Sequence, residues 1–176
     1  LIAFLASFRD LCLFRRGPED MPYAPWLLVA LLIVAAIAEA AFDLHGGVRA
    51  GVVAAASIGT LATLAALLGL LRWRGRPERF VQTALALVAS SLLFELIAMP
   101  LTLVIGHPVS PADIRGGQVL ATLAVLVLAI WQVCISVNVL RRALDIPVAG
   151  GVLALLLLGF VDLFVTALGT AALGIT

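Results

Sequence analysis

Long apolar runs separated by short polar breaks dominate this chain. A bilayer core about 30 Å thick takes roughly 20 apolar residues as a helix, and residues 25–42, 48–73, 80–105, 117–140 and 148–173 form five runs of about that length or more. The breaks are Asp43-Leu44-His45-Gly46-Gly47, then Arg74-Gly75-Arg76-Pro77-Glu78-Arg79, then residues 106–116 with Pro108 and Pro111, and finally residues 141–147. Connectors this short join antiparallel neighbours, so the pattern predicts an all-α fold, a polytopic bundle of five transmembrane helices over residues 18–176.

Residues 1–17 follow another rhythm. Leu1, Phe4, Leu5, Phe8, Leu11 and Cys12 recur at three- and four-residue intervals, with Ser7, Arg9 and Arg16 off that stripe. This is the spacing of an amphipathic helix, expected to lie in the cytoplasmic membrane interface. Arg9 and Asp10 inside it, and no small-residue cleavage site after it, are unlike a signal peptide. Pro18, Pro22 and Pro25 break the chain before the first run, and Tyr23 and Trp26 stand where an aromatic belt belongs.

Composition agrees with the periodicity. Of 176 residues, 64% are hydrophobic and 12% charged, and mean hydropathy is +1.21, where an ordinary soluble domain is about half apolar and about 25% charged. A net charge of +1 offers no basic tract for nucleic acid. Every one of the 11 positive charges is arginine, and their placement orients the chain. Arg9, Arg15, Arg16, Arg72, Arg74, Arg76, Arg79, Arg141 and Arg142 fall on one side of a five-span layout, against Arg49 and Arg115 on the other. The positive side faces the cytoplasm, so the topology expected is N-in and C-out, in a bacterial inner membrane. Arg72, Arg74, Arg76, Arg79, Arg141 and Arg142 are then candidates for contact with anionic lipid headgroups.

In the second run, Gly51, Ala55, Gly59 and Thr63 fall at four-residue steps, and Ala62, Ala66 and Gly69 widen the flat surface. Small residues let helix backbones approach closely in lipid, so this helix is expected at the centre of the bundle. The pattern leaves open whether its partner is a helix of the same chain or of a second copy.

Polar groups within the spans are costly and are candidates for function. Glu39, Glu95 and Asp162 are the acidic ones, while Gln132, Ser136 and Asn138 lie in the cytoplasmic half of the fourth run. At 1.5 Å per residue the three carboxylates stand about 20, 24 and 22 Å from the cytoplasmic starts of their helices, one layer in the outer half. Together they would make a proton or cation site; separately, each would be satisfied by a neighbouring helix or by Arg49 or Arg115 at the interface. Pro100 frees the carbonyl of Leu96 beside Glu95. His45 and His107 in outer connectors make a poor metal pair, and Cys12 and Cys134 have neither metal nor disulfide-framework spacing. Hydrolase and nucleotide-binding motifs are missing, so neither catalytic residues nor a cofactor are predicted.

The layout, the connector Gly75-Arg76-Pro77-Glu78-Arg79-Phe80, and a fourth span with Trp131 that leads through Leu140-Arg141-Arg142-Ala143-Leu144 to Ala149-Gly150-Gly151 resemble the bacterial branch of the Yip (Ypt-interacting protein) family over residues 25–173. That resemblance implies a non-enzymatic membrane protein working through partners, its eukaryotic relatives being associated with vesicle trafficking and small GTPases. The chain departs from the family in its very short N-terminal segment. The function expected is an accessory or scaffold protein acting by helix contacts with partner membrane proteins, lipids or a second copy; the alternative is a small proton- or ion-coupled transporter or channel subunit using the intramembrane carboxylates.

Overall fold

The computed structural model of the protein describes the backbone of residues 2–45, 50–106 and 116–174, and the side chains of these except residues 2, 3, 39, 41–45 and 50. The described residues form six helices: α1 (Ile2–Cys12), α2 (Pro25–His45), α3 (Ala50–Trp73), α4 (Phe80–Ile105), α5 (Gly116–Leu144) and α6 (Val148–Ala172). Short 3-10 turns at Pro18–Asp20 and Pro77–Arg79 precede α2 and α4. Four segments, Gly51–Trp73, Pro77–Ile105, Gly116–Leu144 and Val148–Ala172, are long and apolar enough to cross a bilayer, with mean hydropathy from 2.0 to 2.5. They mark the chain as an integral membrane protein. In α2 the part Pro25–Ala38 is a shorter apolar helix.

Helix limits follow local chemistry. α4 begins and ends with its apolar run, closed by Gly106 at φ 57°. α2 runs past its apolar stretch to His45, because nothing before the pair Gly46-Gly47 breaks a helix. α5 continues through Arg141 and Arg142 to Leu144, all good helix formers, and stops where Asp145 turns left-handed at φ 56° two residues before Pro147.

Three helices end at the arginine-bearing end of the bundle, and all three stop in the same way. A residue in the left-handed region, Phe14 (φ 59°), Gly75 (φ 70°) or Asp145 (φ 56°), reverses the chain after α1, α3 and α5. The next amide then reaches back five residues: Arg15 to the Asp10 carbonyl (2.8 Å), Arg76 to Leu71 (2.8 Å) and Ile146 to Arg141 (2.9 Å). Those bonds satisfy carbonyls that the helix leaves open.

Packing is strongest between α3 and α6 and between α4 and α5, with α5 on α6 and α2 on α4 next; the sequence neighbours α2 and α3 touch little. The fully buried side chains cluster towards the arginine end. Leu67 and Leu71 of α3, Leu85 of α4, and Ile135, Val139 and Leu140 of α5 interlock there with Leu11 of α1 and Met21. α1 buries Phe4, Leu11 and Cys12, stacks Phe4 on Phe8 at 5.8 Å, and also buries Ser7, which the apolar stripe had placed off the contact face. Gln82 of α4 donates to the Met21 carbonyl at 2.6 Å and fastens the segment between α1 and α2.

The small-residue face of α3 is covered from within the chain. Ala55 and Gly59 are buried against α6, where a Cβ on Gly169 would stand 2.9 Å from Ala55 Cβ. A Cβ on Gly59 would overlap Thr166 Oγ1 and approach the Asp162 carbonyl at 3.1 Å. Gly51 is half-buried one turn before Ala55, and Thr63 follows one turn after Gly59. Close approach at Gly59 and Gly169 lets two nearly all-apolar helices gain dispersion contacts, which drive their association where lipid offers no hydrophobic drive.

Candidate functional site: a carboxylate-lined crevice

Because α3 leans on α6 and barely touches α2, a gap remains between α2, α3, α4 and α6. It forms a crevice of about 570 Å³, within the roughly 300–1,000 Å³ range of small-molecule sites. Its walls are mostly aliphatic, including Leu32, Leu64, Leu67, Leu87, Leu92 and Leu158. Val29 and Ile33 of α2 and Leu61 of α3 line it and are also exposed on the outside of the bundle, so the crevice opens sideways between those two helices.

Its polar lining comes from three helices. α3 contributes Ser57, Thr60 and Thr63, α4 contributes Ser91 and Glu95, and α6 contributes Asp162. Ser57 Oγ donates to the Val53 carbonyl at 3.0 Å and Thr60 Oγ1 to the Ala56 carbonyl at 3.2 Å. Thr63 Oγ1 donates across the helix interface to Asp162 Oδ1 at 3.3 Å. Gln132 of α5 supports the far wall: with its amide nitrogen on the Ser90 carbonyl (3.0 Å), its oxygen accepts from Ser91 Oγ (3.2 Å). Glu95 is half-buried, with Oε2 shielded from solvent, and it also borders a second cavity of about 280 Å³ lined by Phe94, Met99, Thr102 and Val125.

Two of the three carboxylates singled out from the sequence, Glu95 and Asp162, therefore line one crevice. The side chain of Glu39 lies outside the described residues, as do the side chain of His45 and all of Arg49, His107 and Arg115. Among the described residues no group of three or more His, Cys, Asp or Glu side chains is placed to hold a metal ion. Sequence reasoning passed over Ser57, Thr60 and Ser91. The signal for the first two was present, since Ser57, Thr60 and Thr63 recur every three residues along α3 and fall near one face.

The arginines at the ends of α3 and α5 and before α4 are not among the residues that line the crevice. Arg74 donates to the carbonyls of Leu144 (3.0 Å) and Asp145 (3.2 Å), Arg79 to that of Arg142 (3.1 Å), and Arg76 pairs with Asp145 at 2.6 Å. These cations sit at the negative end of the α5 dipole and satisfy its last carbonyls. Arg141 donates to Asn138 Oδ1 at 3.0 Å, Arg142 pairs with Glu19 at 3.4 Å, and Arg72 is exposed. Nearby, burial pushes the Cys12 thiol up to about 11. Comparison of the chain with protein-family models, with curated proteins and with solved structures found no match.

Proposed function

We propose that this protein is a non-enzymatic accessory protein of a bacterial cytoplasmic membrane that takes a lipid-like guest sideways into the crevice. The observation that carries this reading is the lateral opening between α2 and α3, with exposed apolar rims at Val29, Ile33 and Leu61 and polar groups on the inner wall. In a bilayer such an opening faces acyl chains, so a membrane-dissolved molecule enters without crossing water.

In this reading α2 crosses the bilayer with the four longer helices, giving five spans with the N-terminus and the arginine end in the cytoplasm. α1 lies at headgroup level with Leu5, Leu13 and Phe14 exposed towards lipid, and Trp26 and Trp73 at the same end form an aromatic belt. The likeness to the Yip family in layout and connectors supports a role through partners rather than chemistry. Arg72, with the outer faces of Arg74, Arg76, Arg141 and Arg142, would meet anionic headgroups.

The test is native mass spectrometry of the chain released from mild detergent, comparing wild type with Ile33→Trp/Leu61→Trp, which fills the mouth. Wild type should carry a small adduct that the filled variant has lost. Equal adducts on both would exclude the crevice as their seat. A second reading, proton- or ion-coupled transport, is favoured by Glu95 and Asp162 sharing one cavity. It requires liposome flux that falls when both are neutralised, and flux indifferent to Glu95→Gln/Asp162→Asn would remove it.

A further inference from the structure

The polar wall of the crevice has a property that its residue types alone do not reveal. Serine and threonine can donate or accept, but here each hydroxyl proton is already directed elsewhere. Ser57 and Thr60 give theirs to carbonyls of their own helix, Thr63 to Asp162, and Ser91 to Gln132. What these groups turn to the crevice is lone pairs. Glu95 and Asp162 add carboxyl oxygens, and among the described lining residues none is an arginine, a histidine or a backbone-exposing glycine. A wall made of acceptors and carboxyl groups, set in an aliphatic chamber, complements a guest with several hydrogen-bond donors and positive charge on an apolar body.

We infer that the guest carries a cationic nitrogen, as an alkyl- or arylammonium group, seated between Asp162 on α6, Thr63 on α3 and Glu95 on α4, with its apolar part among the leucines towards the α2–α3 mouth. The inference rests on the proposed lateral binding of a lipid-like guest and adds the chemistry of its head. An ammonium has three donors in a fixed fan and no acceptor. An alcohol offers one donor and no charge to set against Asp162, while a carboxylate would face two groups of its own kind. A bare cation would match the oxygens but leave the aliphatic majority of the chamber without a partner.

The experiment is scintillation-proximity binding to the full chain in lipid nanodiscs, with tritiated decylamine, decanol and decanoate in parallel. Bulk partitioning is subtracted using the Ile33→Trp/Leu61→Trp variant. Decylamine should bind about tenfold or more tightly than decanol, the range of one charge-assisted hydrogen bond, with decanoate weakest. Asp162→Asn and Glu95→Gln should each remove most of the advantage of the amine over decanol. Far-ultraviolet circular dichroism of each variant reports whether it remains folded; Asn at residue 162 keeps an oxygen that accepts from Thr63, and Glu95→Gln carries the test where Asp162→Asn does not fold. Amine and alcohol binding equally would overturn the cationic head while leaving the lateral crevice standing. No ligand binding above the tryptophan-filled control would overturn the crevice reading itself. Displacement of decylamine by millimolar sodium at constant ionic strength would make this a metal-ion site and overturn the inference.

Discussion

Gly59→Ala tests the close approach that creates the crevice, and Gly69→Ala in the same helix is its control. The added Cβ at residue 59 would lie 3.0 Å from Asp162 Oδ1 and 3.1 Å from the Asp162 carbonyl, inside the ordinary contact range that starts near 3.4 Å, and would overlap Thr166 Oγ1. The hydroxyl can swing away, but the carbonyl belongs to helix backbone. α3 and α6 must then part by a few tenths of an ångström along their best-packed face. Overpacking of this kind costs about 1–3 kcal/mol, while Ala in place of Gly returns up to about 1 kcal/mol of helix propensity. The net loss is about 0–3 kcal/mol. At Gly69 nothing lies within 4 Å of the new Cβ, so the propensity gain stands alone and the variant should be up to about 1 kcal/mol more stable. The two variants should thus differ by about 1–3 kcal/mol, or roughly 5- to 150-fold in unfolding equilibrium constant. Unfolding by sodium dodecyl sulfate titration into mixed micelles, followed by tryptophan fluorescence, measures both. Equal shifts, or a more stable Gly59→Ala, would refute the α3–α6 contact at this point.

Three further outcomes are expected. Thr63→Val, which removes the donor to Asp162, should destabilise by about 0.6 kcal/mol and by no more than about 1.7, whereas Thr60→Val, whose hydroxyl serves its own helix, should be near neutral in the same titration. Phe14→Gly should stabilise the detergent-solubilised chain by about 1 kcal/mol, because Phe14 holds φ 59°, a region that disfavours side chains by about 1–2 kcal/mol; a loss of stability would show that its ring contributes more than its backbone costs. The Cys12 thiol, raised from 9.0 to about 11, should be alkylated about a hundredfold more slowly than a free thiol at pH 8. Its linkage follows in sign: the unfolded chain loses this proton first, so stability is constant below pH 9 and falls as pH rises from 9 towards 11, a fall that Cys12→Ala should abolish.

Much of the bundle could be read from the residues alone, and the reason is the bilayer thickness, which makes length itself informative. The limits of α4 coincide with its apolar run, since polar Arg79 and Gly106 bracket it, while α5 overshoots because arginines are as helical as leucines. Helix rise put Glu95 and Asp162 at a similar distance along their helices, but which helices face each other did not follow from it. α3, α4 and α6 are apolar nearly all round, so periodicity carries no bearing for their faces. The small residues of α3 announced a close contact without naming α6, because shape complementarity lies in the pair and not in either sequence. The crevice was invisible for the same reason: it is where two sequence neighbours fail to pack.

The pairing of α3 with α6 also sets an order of assembly. α3 finds its main partner in α6, about a hundred residues later. While α4 and α5 are being made and joined, the face around Ala55 and Gly59 has only lipid against it, and the bond from Thr63 to Asp162 has no acceptor. The crevice therefore comes into being only once α6 has been made. A chain stopped after α5 would keep its arginine-clasped end and expose a flat, small-residue helix face to the membrane, the kind of surface by which an unfinished membrane protein can be distinguished from a finished one.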